Sequence, residues 1–191
     1  MKNPFKTNSV KELDAIDIAG IIPDILSIPE GTWDEENKDK PNNFYELKHT
    51  KHIVFKFVHD LKDCTKSYEF PIWESWKNRL QPILDKAVEP YGYTNGVFSR
   101  IMLAKLTAGG MIKAHVDGDG VVTFPHKIHI PISTNDGVSF FVNPKLYHFE
   151  VGFAYEVNNL AVHYAENKGV EDRIHLIFEY FNPDHLPTNF K

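Results

Sequence analysis

From Gly96 to Phe181 the chain is a succession of short β-branched and aromatic runs, each closed off by Gly, Asn, Asp or Pro: VFSRIMLAKLT, MIKAHV, KIHIPIS, VSFFV, YHFEV, FAYEV, LAVHYAE and RIHLIFEYF. Parallel strands need long crossovers, usually helical, and no helical pattern separates these runs, so a parallel α/β sheet is excluded. Antiparallel strands joined by short turns remain, which means a sandwich, barrel or jelly roll. Asn135-Asp136-Gly137, Val157-Asn158-Asn159 and Glu166-Asn167-Lys168-Gly169 fall between runs and carry the residue types of hairpin-like turns.

Upstream, His52 to Val58 (HIVFKFV) reads as one further strand, and Pro71 to Val88 as a helix. Trp73, Trp76, Leu80, Ile83, Leu84 and Ala87 recur at three- and four-residue steps, and Pro71 suits a first helical turn. The helix is expected to pack on one sheet of a mainly β jelly roll. Asp34 to Asn43 (DEENKDKPNN) is the most polar stretch and reads as an exposed loop or mobile insertion. At 191 residues the chain fits one domain, with N-terminal strand and helix elements over about 1–95 and the jelly-roll core over about 96–183.

Lys and Arg are scattered among Asp and Glu, and the formal net charge is -5, so the basic stripe of a nucleic-acid binder is missing. No apolar run reaches the length of a membrane span, the polar start MKNPFKTNSV does not resemble a secretory signal, and the lone Cys64 has no partner for an internal disulfide. The expected setting is the cytoplasm, with neither nucleic acid nor membrane as partner.

The chemistry concentrates on three positions. His115 and Asp117 stand two apart where MIKAHV runs into a glycine-bearing loop, and residues i and i+2 of a strand project from one face. His163, in the apolar run LAVHYAE, is the candidate for a third ligand. Two His and one carboxylate on one side of an iron leave the opposite positions open. A His-x-Asp pair alone is short enough to arise by chance, and a strand histidine is ordinarily a hydrogen-bonded packing residue. Arg173, ten residues beyond His163 at the start of the last strand, shifts the balance. An inward guanidinium needs an anion, and a small acid's carboxylate meets it through two parallel bonds. Asp117-Gly118-Asp119-Gly120 echoes a calcium loop, but Ile128 stands where that loop requires Glu, leaving Asp119 as a solvated turn residue.

His-x-Asp, a distal His and an Arg ten residues on, within a string of short strands, resembles the double-stranded β-helix (cupin-like) oxygenases that use Fe(II) and 2-oxoglutarate. Within them FEVGFAYEVNNLAVHYAENKGVEDRIHLIFEYFNP is similar to the aspartyl/asparaginyl β-hydroxylase family, the likeness running from about Phe98 to Pro183. It implies a hydroxylating dioxygenase with Fe(II), 2-oxoglutarate and O2, acting on an aspartyl or asparaginyl residue or a related amino-acid-like compound, whether peptide or small molecule. His115, Asp117 and His163 would be the catalytic metal ligands and Arg173 would hold the distal carboxylate of the co-substrate. Lys127 and His129 match a basic residue and a histidine that the family places two apart, where His129 would contact co-substrate or substrate. Lys127 stands where Arg is usual, and Lys gives no bidentate contact. His175 shares a strand face with Arg173 and is a further candidate to line the pocket. Animal members carry Gly at the position of Asp117, so this chain keeps the fuller triad. The rival is a cupin-like metal-binding protein without oxygenase activity, which would have no use for Arg173. Trp33, Phe44, Tyr45 and Tyr147 are candidates for an entrance, though large aromatics more often fill cores.

Overall fold

The computed structural model describes residues 5–118, 124–186 and 188. Eleven strands occur among them: β1 (Val10–Ala15), β2 (Thr50–Asp60), β3 (Asp63–Glu69), β4 (Val97–Leu106), β5 (Met111–His115), β6 (His126–Ser133), β7 (Val138–Val142), β8 (Lys145–Tyr147), β9 (Phe153–Val157), β10 (His163–Asn167) and β11 (Arg173–Phe181). The helices are α1 (Ile22–Leu26), α2 (Glu30–Lys38) and α3 (Trp73–Val88). A seven-stranded sheet in the order β1-β9-β6-β11-β4-β2-β3 faces a four-stranded sheet in the order β5-β10-β7-β8, every pair antiparallel. This is the expected jelly roll.

Alternation along β11 fixes what each face of the large sheet does. Ile174, Leu176, Phe178 and Tyr180 join the core under the helices, while Arg173, Ile177 and Glu179 turn toward the small sheet and a cavity. On the helix side, Trp73, Leu80 and Leu84 of α3 are fully buried against Phe55, Ile101 and Leu176. Each such side chain contributes about 1.5–3 kcal/mol. Between the sheets a second cluster joins Leu106, Tyr155 and Val157 to Phe140, Val142 and Ala165.

Two stretches depart from expectation. Asp34 to Asn43 is not a free loop: α2 runs through Lys38, and Lys40 and Asn42 are buried. The helix is anchored by buried Trp33, over which Lys105 lies at 4.7 Å, and by Lys51 pairing with Glu30 and Asp34. Tertiary contacts supply what a polar sequence cannot. In YHFEV only Tyr147 belongs to a strand; β8 begins earlier, at Lys145. The chain leaves the ladder because Phe149 turns inward to stack on Phe140 and Tyr155, at 5.0 and 4.5 Å, while His148 Nδ1 donates to the Val138 carbonyl at 2.9 Å. Asp119 lies outside the described residues.

Candidate functional site

His115 ends β5 and His163 begins β10, and the register of those neighbouring strands sets the two residues directly opposite each other. Their rings lie 4.2 Å apart at 52°. Each Nδ1 sits on a backbone carbonyl two residues back, His115 on Lys113 at 2.7 Å and His163 on Ala161 at 3.0 Å. A carbonyl only accepts, so each ring when neutral carries its proton on Nδ1 and presents Nε2 as a lone pair.

Both Nε2 atoms converge on Asp117 Oδ1, from His115 at 3.3 Å and from His163 at 3.6 Å. One ligand atom from each of the three residues fits within 4.8 Å of the others, the spacing of a metal site. Asp117 lies two residues past the end of β5, and its other oxygen is held by the Lys127 ammonium and by Asn159 Nδ2 at 3.2 Å. Burial alone would raise the Asp117 pKa, but Lys127 and His115 hold it well below the usual carboxylate range. Burial pushes His163 down to about 4. Burial also opposes charge on His115, but its bonds to Asp117 and the Lys113 carbonyl outweigh that and raise its pKa.

The triad opens on a cavity of about 470 Å³ between the sheets, lined also by Lys127, His129 and Arg173. Arg173 is 1% exposed, and its Nε and Nη2 find no acceptor among the described residues. Burial lowers its pKa to about 9, so it remains a cation at neutral pH. His129 and His175 meet at 3.3 Å through Nδ1, and the Nε2 of each is buried without a partner among the described residues. Burial, and after it the charges of Lys127 and Arg173, hold His129 well below its ordinary value; burial and Arg173 do the same to His175. His175 stands behind His129 and does not line the cavity.

All seven site residues expected from the sequence therefore gather around one space, His175 one layer back. Of the aromatics considered for an entrance, Phe44 lines the cavity and is exposed at its mouth with Leu61 and Val116. Trp33 is core, and Tyr147, bonded to Ser9 at 2.7 Å, does not line the cavity. Sequence reasoning gave Asn159 only a turn, and it passed over Arg100 and Glu179, which bond at 2.9 Å and line the same cavity.

Residues 74–183 match the family described as aspartyl/asparaginyl beta-hydroxylase, a span that holds every residue of the site. The chain belongs to that family. No curated protein matches the sequence. Among solved structures, this β-hydroxylase family member is similar to a 2OG-Fe(II) oxygenase family oxidoreductase from Burkholderia pseudomallei, at 14% identity and a TM-score of 0.63, covering 90% of this chain and 84% of that one. It is also similar to a prolyl hydroxylase from Trichoplax adhaerens, solved with a hypoxia inducible factor peptide fragment, at 12% identity and a TM-score of 0.61 over 94% and 86%. A prolyl-4-hydroxylase from Pseudomonas putida follows at 10% identity and 0.53, over 92% and 94%. The fold is thus the one these oxygenases and hydroxylases share. No helix among the described residues is long and apolar enough to cross a membrane.

Proposed function

We propose that this protein is an Fe(II)- and 2-oxoglutarate-dependent dioxygenase that hydroxylates an aspartyl or asparaginyl residue, or a related amino-acid-like compound. The observation that carries the reading is Arg173, a buried cation with no anion beside it among the described residues, in the same cavity as three converging metal-binding side chains. Burying a charge unpaired costs on the order of several kcal/mol. A dicarboxylate with one end toward the triad and the other at Arg173 removes that cost.

The donor set fits the metal. Two imidazole nitrogens and one carboxylate, on one side of a cavity, suit iron(II) with open positions. His115, Asp117 and His163 would hold it, Arg173 would pair with the distal carboxylate, and Lys127 and His129 would meet the co-substrate nearer the metal. Bound Fe(II), with 2-oxoglutarate and O2, supplies the oxidation that converts a C–H bond to C–OH while the co-substrate leaves as succinate and CO2.

The chain's own share begins with the two Nδ1–H bonds, which fix tautomer and ring orientation before any ligand arrives. His175 orients His129 through the Nδ1 contact. Phe140, Val157 and Ala165 form apolar walls that keep water from the reacting atoms.

Anaerobic titration of the metal-free protein with Fe(II) and then 2-oxoglutarate tests the reading. A visible charge-transfer band that needs both additions, and is lost in His163→Ala, is the expected result. Metal binding with no response to 2-oxoglutarate would favour the cupin-like alternative.

A further inference from the structure

Asp117 is the one member of the triad that no strand holds. β5 stops at His115, and Asp117 lies beyond it in a loop. Its backbone N–H is met from the turn between β9 and β10. The Asn159 carbonyl accepts the Asp117 N–H at 3.0 Å, and Asn159 Nδ2 donates to Asp117 Oδ2 at 3.2 Å. One residue thus grips both backbone and carboxylate from 42 positions away. The amide orientation follows from the chemistry, since the flipped form would set Oδ1 against an ionised carboxylate oxygen.

We infer that Asn159 is the positioning residue for the Asp117 carboxylate, clamping Oδ2 so that Oδ1 stays turned to the two histidines and the metal. The inference rests on the reading of His115, Asp117 and His163 as metal ligands. Lys127 touches the same oxygen, but it does so as a full charge. An ammonium there draws electron density from the carboxylate and repels a divalent ion, so Lys127 opposes metal loading. A neutral amide orients the ligand without that opposition, as groups bonded to metal ligands commonly do. Asn159 is 2% exposed and lines the cavity, and its Oδ1 is buried without a donor among the described residues. That leaves one acceptor in the wall for a donor that enters with a ligand.

The neighbouring asparagine provides the contrast. Asn158 Oδ1 receives the Leu160 N–H at 3.1 Å, and its Nδ2 donates to the Asn8 carbonyl at 2.9 Å. Its bonds close the turn and tie down the N-terminal segment, and none reaches the triad.

Cobalt(II) is a suitable probe, because its visible absorption reports coordination geometry apart from turnover. Metal-free protein is titrated with Co(II), and affinity and band shape are compared for the unaltered chain, Asn159→Ala, Asn159→Ser and Asn158→Ala. Serine keeps a turn-forming residue but is too short to span the contact. Both Asn159 variants are expected to bind Co(II) about 10–100-fold more weakly, the usual loss when a group supporting a metal ligand is removed. Their bands should also change. Asn158→Ala should melt earlier yet keep the band. Wild-type affinity and spectrum in folded Asn159→Ser would overturn the positioning role, even if Asn159→Ala fails to fold. Failure of the unaltered chain to bind Co(II) would overturn the metal reading itself.

Discussion

Arg173 opens β11 with its side chain on the cavity face, so the strand's alternation decides that a cation goes inside. Nothing among the described residues neutralises it. A residue kept at such a cost serves binding better than folding, which gives a prediction of two signs. Arg173→Met, of similar length and uncharged, should raise the melting temperature of the ligand-free protein, as removal of buried charge often does. The same change should weaken 2-oxoglutarate binding by about 1.5–3 kcal/mol, the worth of hydrogen bonds to a charged group, and spare Co(II) binding. Calorimetric titration and thermal melts read both, and unchanged 2-oxoglutarate affinity would remove Arg173 from its proposed role. This residue was legible in the sequence because its spacing from His163 is local and its chemistry is uncommon. Asn159 was not, since asparagine in a turn is ordinary and its contact with Asp117 exists only after β5 and β10 pair.

The turns that bracket Arg173 act as one element. The β6–β7 turn lays Gly137 against the β10–β11 turn, where Lys168 N–H donates to the Gly137 carbonyl at 2.9 Å. Asn135 Nδ2 reaches Asn167 Oδ1 at 3.2 Å and the Glu171 carbonyl at 3.0 Å. A Cβ on Gly137 would come within 2.3 Å of Gly169 N, a backbone atom that cannot swing aside. Gly137→Ala should therefore cost about 1–3 kcal/mol, as overpacking typically does, read as a lower denaturation midpoint. Because the turn delivers Arg173, 2-oxoglutarate affinity should fall with it, and a variant of unchanged stability would refute the tight approach. Both turns were readable from their Asn and Gly residues, as were most strands from their alternation. β1 and β3 were not, because VKELDA and DCTKSYE carry too few apolar residues and take their place by pairing with β9 and β2. The helical α2 was hidden for a similar reason, its one buried side chain being Trp33.

At the scale of the whole molecule, three interior histidines besides His163 of the triad are kept neutral by burial: His129, His175 and His52, whose Nδ1 sits 3.2 Å from Asn42 Oδ1. Burial, then the charges of Lys40, Lys127 and Arg173, lowers His52 to about 3, and His129 and His175 also fall well below their ordinary value. In the unfolded chain each titrates near pH 6.5. Below that pH the unfolded state takes up protons that the folded state refuses, so the stabilisation is complete above about pH 6.5 and is lost as pH falls toward the folded values. Each histidine then contributes up to about 1.4 kcal/mol of lost stability per pH unit, enough for three to remove several kcal/mol by about pH 5. Thermal melts of the metal-free protein from pH 8 to 5 should show a plateau and then a steep acid limb. His52→Asn, whose amide can still donate to Asn42, should make that limb shallower by about one proton while leaving the plateau in place. An acid limb unchanged in His52→Asn would mean that His52 is protonated inside the folded chain, and a melting temperature flat down to pH 5 that all three imidazoles are. The cationic groups around the cavity would then have to be reckoned with two more charges beside Arg173, and the attraction for an anionic co-substrate would strengthen as the pH falls.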